Sequence, residues 1–378
     1  MYAVAVIGGG PIGLKVATEV RRQGFDCVVI EEHPSIGRPV NCSGLISRSG
    51  VEGLGLSLGD SIVNKVFGAR IFSPNGNSIS VRREEPVAYV IDREKFDRRL
   101  YDEALREGVE VKLDTKIIGL NGETIFTQHK GRGELLKAKI VIGADGAVSK
   151  ARELAGVNAP RENFVQAYQA KARGNFEREL VELRFGGFAR NFFGWIIPES
   201  ANTARIGLGM GMGNVKDAFR EFTAGMPVQR PMFAQSSALI PVAEPMKEYV
   251  YGNVALAGDA AFQTKATTGG GIIIGMNSAK VLADTIGEHY KSGKPLAEYN
   301  KRMAPLKKEL DMHWRIRSYL NSMNDAQMDK LFERLKRARI EEFLEKEGDM
   351  DRPSKFLGKL LFKPALWKLV PGAFGLRF

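Results

Sequence analysis

The sequence predicts an α/β fold in which a nucleotide-binding domain of βαβ type is interrupted by an antiparallel sheet and followed by helices. Three observations support this prediction. A βαβ pattern opens the chain, strands that run into glycine-containing turns return near residues 143 and 258, and alternating strand patterns fill residues 164–212 between them.

The first 32 residues carry the most informative pattern. An apolar strand at residues 4–7 breaks into the turn Gly-Gly-Gly-Pro-Ile-Gly at residues 8–13. A helix over residues 14–23 and a second strand at residues 27–30 follow. Gly8 allows the sharp turn off the strand, Gly10 lets a pyrophosphate approach the backbone, and Gly13 lets the helix pack closely on the strand. The helix N-terminus offers free N–H groups and a positive dipole end to phosphates.

Glu31 strengthens the interpretation of this turn as a dinucleotide site. It ends the second strand, where a carboxylate can accept hydrogen bonds from an adenosine ribose and would repel a phosphorylated one. The alternative is that the glycines form only a tight turn. These residues alone leave FAD and NAD open.

Composition narrows the class of protein. At 378 residues the chain can bury one large core or two moderate ones. Because it has two cysteines, Cys27 and Cys42, a disulfide framework or a cluster held by four thiolates is excluded within it, and a reducing compartment is expected. No apolar run approaches the roughly 18–20 residues that span a bilayer. The N-terminus enters a strand directly, so no cleaved secretory signal is expected.

The net charge of +11 suggests an anionic partner, such as a membrane surface, an acidic electron carrier or nucleic acid. The alternative is a generally basic cytosolic protein. No nucleic-acid recognition motif accompanies the charge, so no nucleic-acid partner is expected. Residues 353–378 combine basic residues with a broad apolar face at helical spacing and contain no acidic residue. That pattern suits a helix in the bilayer interface, or one docked on the protein's own core.

Two further positions are candidate cofactor neighbours. The polar loop at residues 33–47 can pass over a cofactor towards its reactive end, and Cys42 lies in it next to Ser43 and Gly44. A small buried thiol without chemistry is the alternative. Arg93 falls in the first turn of a helix capped by Asp92, where the helix dipole disfavours a cation, so an external anion would offset that cost.

Three separated motifs now stand in one order. They are the N-terminal turn with Glu31, Gly-Ala-Asp-Gly at residues 143–146, and Gly-Asp-Ala-Ala at residues 258–261 with a triple glycine at 269–271. Together they resemble the FAD-binding signature of the glutathione-reductase-type flavoproteins, in the branch that contains p-hydroxybenzoate hydroxylase and the geranylgeranyl reductases. The resemblance covers roughly residues 1–290 and implies FAD in a Rossmann-type domain.

Within that branch the chain is most similar to the archaeal geranylgeranyl reductases, which saturate isoprenoid chains of membrane ether lipids. Residues 258–272 are close to their second flavin motif. Their pocket signature, Tyr-x-Trp-x-Phe-Pro preceded by a proline, is matched loosely at residues 193–198, with Phe193 for Tyr, Ile197 for Phe and Arg190 at the leading proline. The resemblance therefore implies an apolar pocket, with substrate contacts from Phe192, Phe193, Trp195 and Pro198.

The resemblance also implies which residues hold FAD. Gly10, Ile12 and Gly13 would meet the pyrophosphate, and Gly271 and Ile272 would present N–H groups to the N1–O2 edge of the flavin ring. The full set of predicted cofactor-binding residues is Gly8, Gly10, Ile12, Gly13, Glu31, Cys42, Ser43, Leu45, Arg93 (near the phosphates), Ile117 (beside the adenine), Asp145 (indirectly), Asp259 (at the ribityl or phosphate region), Gly271 and Ile272. No metal site is predicted.

The implied domain division has six segments. The FAD-binding domain comprises residues 1–68, 91–160 and 251–295; residues 69–90 and 161–250 form the substrate domain; residues 296–378 form a helical C-terminal region with a basic amphipathic end.

The implied activity is reduction of isolated C=C bonds in geranylgeranyl chains, with hydride from flavin N5 and a proton from Cys42 or a relay through it. Expected partners are an isoprenoid lipid, a donor such as ferredoxin, a reduced nicotinamide or another small carrier, and a peripheral membrane surface. The expected location is the cytoplasm, at the inner membrane face. Two alternatives are a flavin monooxygenase of the same fold and a flavoprotein that passes electrons to a membrane quinone.

Overall fold

The computed structural model describes residues 1–355. The strands in this part of the chain are β1 Tyr2–Ile7, β2 Cys27–Ile30, β3 Leu45–Ser47, β4 Ile62–Val66, β5 Gly68–Phe72, β6 Ser78–Arg82, β7 Ala88–Ile91, β8 Glu110–Lys112, β9 Thr115–Asn121, β10 Thr124–His129, β11 Arg132–Gly143, β12 Phe164–Gly174, β13 Leu180–Arg184, β14 Gly194–Pro198, β15 Thr203–Met210, β16 Val228–Pro241, β17 Val250–Tyr251 and β18 Val254–Leu256. The helices are α1 Pro11–Arg22, α2 Arg48–Gly53, α3 Arg93–Arg106, α4 Lys150–Leu154, α5 Val215–Thr223, α6 Ile272–Ser292, α7 Glu298–Arg302, α8 Ala304–Asn321, α9 Asp325–Arg337 and α10 Ile340–Glu347.

The chain forms two compact units, each built from separated segments. Unit 1 contains Met1–Val40, Arg93–Asn163 and Pro241–Leu310. Unit 2 contains Asn41–Asp92, Phe164–Ile240 and the described residues from Asp311 onward.

Unit 1 is organised around a sheet in the order β17-β18-β11-β1-β2-β8. β1 pairs in parallel with β11 on one side and β2 on the other, and β18 continues the parallel set beyond β11. Val4, Ala5 and Val6 are fully buried at its centre, as expected for a strand covered on both faces. α1 packs against α6 and α3.

The loops that follow three of these strands emerge at one edge of the sheet. Ala144 donates a backbone hydrogen bond to the Ile7 carbonyl (2.8 Å), and Ala257 donates one to the Gly143 carbonyl (2.9 Å). The carboxyl ends of β1, β11 and β18 therefore lie side by side, which is where ligands bind in open α/β sheets. An antiparallel extension of β9, β10 and the first half of β11 completes the unit.

Unit 2 contains a seven-stranded sheet in the order β16-β12-β15-β14-β13-β5-β6. Its pairs from β12 to β14 are antiparallel, and β13 pairs with β5 in parallel. One face packs against α5 through a cluster that includes Ile206, Leu208 and Phe219. The other face carries Trp195 and Gly207, because neighbours along a strand point to opposite sides.

A small sheet in the order β3-β7-β4 belongs to unit 2 as well. The sequence-based division placed residues 41–68 in the FAD-binding domain, whereas the structure groups them with unit 2. The reason is strand pairing. β3 and β4 lie within residues 41–68, and both form hydrogen bonds with β7, which is a strand of unit 2.

The C-terminal helices are split between the two units. α9 and α10 cover β6 of unit 2, through Ile79, Met328, Phe332, Ile340 and Phe343. Most of the predicted basic amphipathic end, residues 356–378, lies outside the described residues. Among residues 1–355, no helix is both long and apolar enough to cross a membrane.

Candidate active site

The glycine turn after β1 divides into two tightly packed positions and one open position. A Cβ on Gly8 would lie 2.5 Å from the Ala144 carbonyl oxygen, and Gly8 has a φ of +104°. A Cβ on Gly13 would lie 2.0 Å from the Gly8 carbonyl oxygen. A Cβ on Gly10 would meet no atom within 4 Å. The protein thus needs glycine at 8 and 13 for its own packing, whereas the space at Gly10 is open to a ligand.

The N-terminus of α1 borders this open space. The helix starts at Pro11 with Gly10 as its N-cap, has no side-chain cap and carries no acidic residue in its first turn. Its first N–H groups and dipole are therefore not satisfied by a side chain, and an anionic group such as a pyrophosphate can bind them.

Glu31 lies beside the turn and is largely buried (9% exposed). Its Oε2 accepts the Gly9 N–H at 2.6 Å, and its Oε1 accepts the His33 N–H at 2.9 Å. The His33 ring Nδ1 is 2.5 Å from the same Oε1. Since a carboxylate has about four acceptor sites and these contacts use at most three, the oriented group can still accept a ribose hydroxyl.

The N-terminus of α6 is packed next to that of α1. A Cβ on Gly275 would lie 2.6 Å from Ile12 Cγ1, and one on Gly258 would lie 3.0 Å from the same atom. Ile12 therefore lies against both glycines, which holds the two helix starts close together. Gly271, the N-cap of α6, also lacks a side-chain cap, and the first turn with Ile272 has no acidic residue.

A buried polar network supports this arrangement, and sequence reasoning missed it. Gln263 Oε1 accepts the Gly258 N–H (2.7 Å) and the Ser278 hydroxyl (2.5 Å), and Gln263 Nε2 donates to the Tyr299 hydroxyl (3.1 Å). The one available signal was a glutamine inside the second flavin motif, directly after three apolar residues, Ala260, Ala261 and Phe262.

Asp259 lies against the start of α6. Its Oδ1 accepts the Thr264 hydroxyl at 2.8 Å, and a Cβ on Gly271 would lie 2.6 Å from that oxygen. Burial raises the pKa of Asp259, while the Thr264 hydrogen bond and the charge of Arg93 act in the opposite direction. Arg93 is thus close enough to influence this carboxylate.

Arg93 also binds within its own helix. Its Nε and Nη2 donate to the two carboxylate oxygens of Asp97, at 3.0 and 2.9 Å. The sequence suggested that an external anion would offset the cost of a cation in this turn, and the structure shows that Asp97 supplies a carboxylate one turn later.

Asp145 organises the loop after β11. Its Oδ1 accepts the Ser149 hydroxyl (2.5 Å) and its Oδ2 accepts the Ala151 N–H (2.9 Å), next to the start of α4. Burial raises the pKa of this carboxyl. These contacts hold the loop, and the indirect support of the cofactor by Asp145 stays a prediction. Ile117, the predicted adenine neighbour, is buried in β9.

The residues of unit 1 fit FAD. The open backbone at Gly10, the oriented carboxylate of Glu31 and the two uncapped helix N-termini match a pyrophosphate, a ribose and an electron-rich ring edge. Among residues 1–355, no group of three or more His, Cys, Asp or Glu side chains could hold a metal ion.

In unit 2 a buried arginine holds the turn that contains Cys42. Arg205 is 5% exposed, and its Nη1 and Nη2 donate to the carbonyl oxygens of Cys42 (3.2 Å) and Ile91 (3.3 Å). Its Nε donates to Glu199 at 2.6 Å, and Lys171 pairs with the same carboxylate at 2.9 Å. Sequence reasoning missed this network, because β15 and the Cys42 turn are more than 150 residues apart.

The thiol of Cys42 sits on a glycine turn. Cys42 Sγ accepts the Gly44 N–H at 3.4 Å. Gly44 has a φ of +73°, and a Cβ there would lie 2.4 Å from the Ile91 carbonyl oxygen. Ser43 is half-buried beside them, and Leu45 begins β3 opposite Val90. Only glycine suits position 44, so the turn that contains Cys42 has a defined shape.

The predicted substrate-binding aromatic residues form one buried cluster in unit 2. Phe192 and Phe193 stack at 4.2 Å between ring centroids, and Trp195 meets Phe193 edge-on at 6.2 Å. Glycines on β15 make room for them, since a Cβ on Gly207 would lie 2.5 Å from the Trp195 ring and one on Gly209 would lie 2.6 Å from Phe192. Pro198 ends β14, and its carbonyl accepts a hydrogen bond from Asn64.

Comparisons with known proteins identify the relatives of this chain. Residues 1–177 match the FAD binding domain family. The chain is 30% identical to digeranylgeranylglycerophospholipid reductase 1 of Methanothermobacter thermautotrophicus, over 87% of this chain and 89% of that protein. It is also 30% identical to an uncharacterized protein of Methanocaldococcus jannaschii, over 95% of each chain. A geranylgeranyl bacteriochlorophyll reductase-like protein from Thermoplasma acidophilum has the same fold, with a TM-score of 0.85, 23% identity, and coverage of 99% of this chain and 98% of that one.

Proposed function

Because the chain belongs to the digeranylgeranylglycerophospholipid reductase family, we propose that it reduces isolated C=C bonds in the geranylgeranyl chains of isoprenoid lipids with FAD as its cofactor. The observation that carries this proposal is the close packing of two uncapped helix N-termini, those of α1 and α6, through the contact of Ile12 in α1 with Gly275 in α6. That arrangement suits one ligand with an anionic pyrophosphate and an electron-rich ring.

FAD, when bound and reduced, supplies a hydride for one carbon of the double bond. The chain's own residues must then hold the ligand and stabilise charge. N–H groups at the start of α6, at Gly271 and Ile272, would stabilise negative charge on the ring edge. Glu31, held by Gly9 and His33, would fix the adenosine end.

An isolated alkene is a poor hydride acceptor, so cationic character develops on its second carbon as the proton arrives. The stacked rings of Phe192 and Phe193 and the indole of Trp195 offer an apolar wall with electron-rich faces. In the proposed reaction this wall aligns the chain and stabilises that charge. The three aromatic side chains are buried, so the wall itself is shielded from water.

Cys42 is the proposed source or relay of the proton. Its Sγ accepts the Gly44 N–H, and its carbonyl is held by Arg205, so the thiol has a fixed direction within unit 2. Reduction adds a hydride to one carbon and the proton to the other, and solvent then returns a proton to the thiolate.

The electron donor and the location are further parts of the proposal. The net charge of +11 favours docking of an acidic ferredoxin, and a reduced nicotinamide or another small carrier would serve the same step. The enzyme would work in the cytoplasm at the inner membrane face, where its lipid substrate lies and where a net positive charge favours binding to anionic lipids.

The direct test reduces FAD-loaded protein with dithionite under anaerobic conditions and adds a geranylgeranyl lipid. Mass spectrometry should show two added hydrogen atoms for each reduced double bond, together with reoxidation of the flavin. Cys42→Ala should slow this reduction by about a hundredfold or more at unchanged flavin content, because a general acid contributes that much. Cys27→Ala is the matched control, since Cys27 is 3% exposed in β2.

Two outcomes would redirect the assignment. Oxygen uptake coupled to nicotinamide oxidation, with a hydroxylated product and no saturated one, would establish a flavin monooxygenase. Rapid electron transfer to a quinone without alkene reduction would establish an electron-transfer flavoprotein.

A further inference from the structure

Arg317 is a buried cation without an acidic partner among residues 1–355. It lies on α8 within unit 2 and is 2% exposed. Its Nε and Nη2 are buried, and neither has a hydrogen-bond partner among the described residues. Burial lowers the pKa of Arg317 to about 9, and no carboxylate in the described part of the chain acts to raise it.

Other arginines of unit 2 show how such a group is normally satisfied. Arg205, which is equally buried, pairs with Glu199 at 2.6 Å and binds two carbonyl oxygens. Arg184 stacks over the Phe72 ring at 4.4 Å and also pairs with Glu182 at 2.6 Å. Arg317 has the ring contact, at 4.2 Å over Phe192, but no such carboxylate. Because a ring face offsets only part of the cost of burying a charge, Arg317 needs an anion from elsewhere.

The two unsatisfied donors of Arg317 lie on one edge of the guanidinium. Nε–H and the adjacent Nη2–H point in the same direction, with the spacing that two oxygens of one phosphate or carboxylate accept. The edge therefore has the geometry of a bidentate oxyanion site.

Arg317 also lies at one end of the aromatic wall. It contacts Phe192, which stacks on Phe193, and Phe193 meets Trp195. Trp195 Nε1 is another buried donor without a partner among residues 1–355. An apolar wall with unsatisfied donors suits a molecule that has a long apolar part and an anionic group.

We propose that Arg317 binds the phosphate of a phosphate-bearing prenyl lipid through its Nε and Nη2, while the prenyl chain lies along Phe192, Phe193 and Trp195. This inference rests on the proposed function, because it assigns the polar end of the same substrate. It makes Arg317 a specificity residue that selects phosphorylated over neutral prenyl compounds.

The test compares geranylgeranyl phosphate with geranylgeraniol as substrates of the FAD-loaded enzyme. Arg317→Met should lower kcat/KM for the phosphate about tenfold to a hundredfold relative to kcat/KM for the alcohol, the loss expected for charge-assisted hydrogen bonds that only the phosphate can accept. Arg317→Lys keeps the charge but lacks the two-pronged edge, so it should retain part of the preference. Arg184→Met, at the ion-paired arginine on Phe72, is the matched control and should not change the ratio.

A binding measurement separates this inference from the activity. Inorganic phosphate should raise the Tm of the wild type and leave that of Arg317→Met unchanged, and the variant's own Tm without phosphate should be higher, because an uncompensated charge has been removed. The proposal would be overturned if the ratio of kcat/KM for geranylgeranyl phosphate to kcat/KM for geranylgeraniol were the same in Arg317→Met as in the wild type. An Arg317→Met protein that fails to fold would also overturn it. If phosphate raises the Tm in an Arg317-dependent way but the ratio is unchanged, the site takes free phosphate and the lipid assignment is wrong. If the wild type reduces neither substrate, the proposed function fails. The change in Tm with inorganic phosphate still decides whether Arg317 binds an oxyanion.

Discussion

Gly10→Ala should weaken FAD binding without destabilising the protein's own fold. The added methyl group would meet no protein atom within 4 Å. The Gly10 backbone, with φ −73° and ψ 178°, is one that alanine adopts freely. A less flexible unfolded chain favours alanine by about 0.4–1 kcal/mol, and the poorer N-cap costs a similar amount, so the free energy of unfolding of the apoprotein should change by less than about 1 kcal/mol.

The same methyl group should weaken the binding of FAD. The open space at Gly10 borders the start of α1, where the pyrophosphate is proposed to bind. Forcing an extra methyl into a filled site costs about 1–3 kcal/mol, which corresponds to FAD binding about 5- to 150-fold weaker. Fluorescence titration of apoprotein with FAD measures this loss, and urea unfolding of the same samples measures stability.

Two comparisons make the result interpretable. Gly133→Ala, in β11, also places its methyl in open space and should leave FAD affinity unchanged. Gly13→Ala would put a methyl 2.0 Å from the Gly8 carbonyl oxygen and should destabilise the apoprotein itself, by about 3 kcal/mol or more. Wild-type FAD affinity in the Gly10→Ala protein would refute the placement of the pyrophosphate.

Three further predictions concern other residues. Arg205→Met should let the Cys42 turn open more often, so that a small alkylating reagent modifies this thiol about tenfold faster by mass spectrometry. Gly207→Ala places a methyl 2.5 Å from the Trp195 ring and should lower the free energy of unfolding in urea by about 1–3 kcal/mol. Because burial raises the pKa of Asp259 in the folded state, Asp259→Asn apoprotein should be more stable than wild type near pH 7. That advantage should shrink in urea titrations as the pH falls towards the ordinary aspartate pKa of about 3.9, where the wild-type carboxyl is neutral as well.

Each of these has its own control. Lys171→Met breaks a contact to Glu199 without removing a bond to the Cys42 turn, so a similar gain in alkylation there would contradict the role of Arg205. Cys27 is buried and burial raises the pKa of its thiol, so labelling reports Cys42. Gly225→Ala adds a methyl in open space and should be nearly neutral in urea. A difference between Asp259→Asn and wild type that is the same at every pH would exclude the titration as its cause.

The sequence alone was sufficient for the family, the fold class and the cofactor, and the comparisons confirm all three. The physical reason is that a βαβ turn is a local structure. Gly8, Gly10 and Gly13 lie within six consecutive residues, and their backbone requirements appear directly as glycine in the sequence. The individual contacts predicted for FAD and for the lipid stay predictions, tested by the experiments above.

Other features depended on residues that are far apart in the chain. The assignment of residues 41–68 to unit 2 follows from strands that pair with β7, and local patterns do not reveal strand partners. The contact of Arg205 with Cys42, the space that Gly207 leaves for Trp195 and the unpaired edge of Arg317 join segments with no shared sequence signal. The sequence by itself determined the nucleotide-binding turn, because its geometry is encoded within a few neighbouring residues. Only the tertiary structure decided which buried charges are compensated, because compensation depends on what the rest of the chain brings within hydrogen-bond distance.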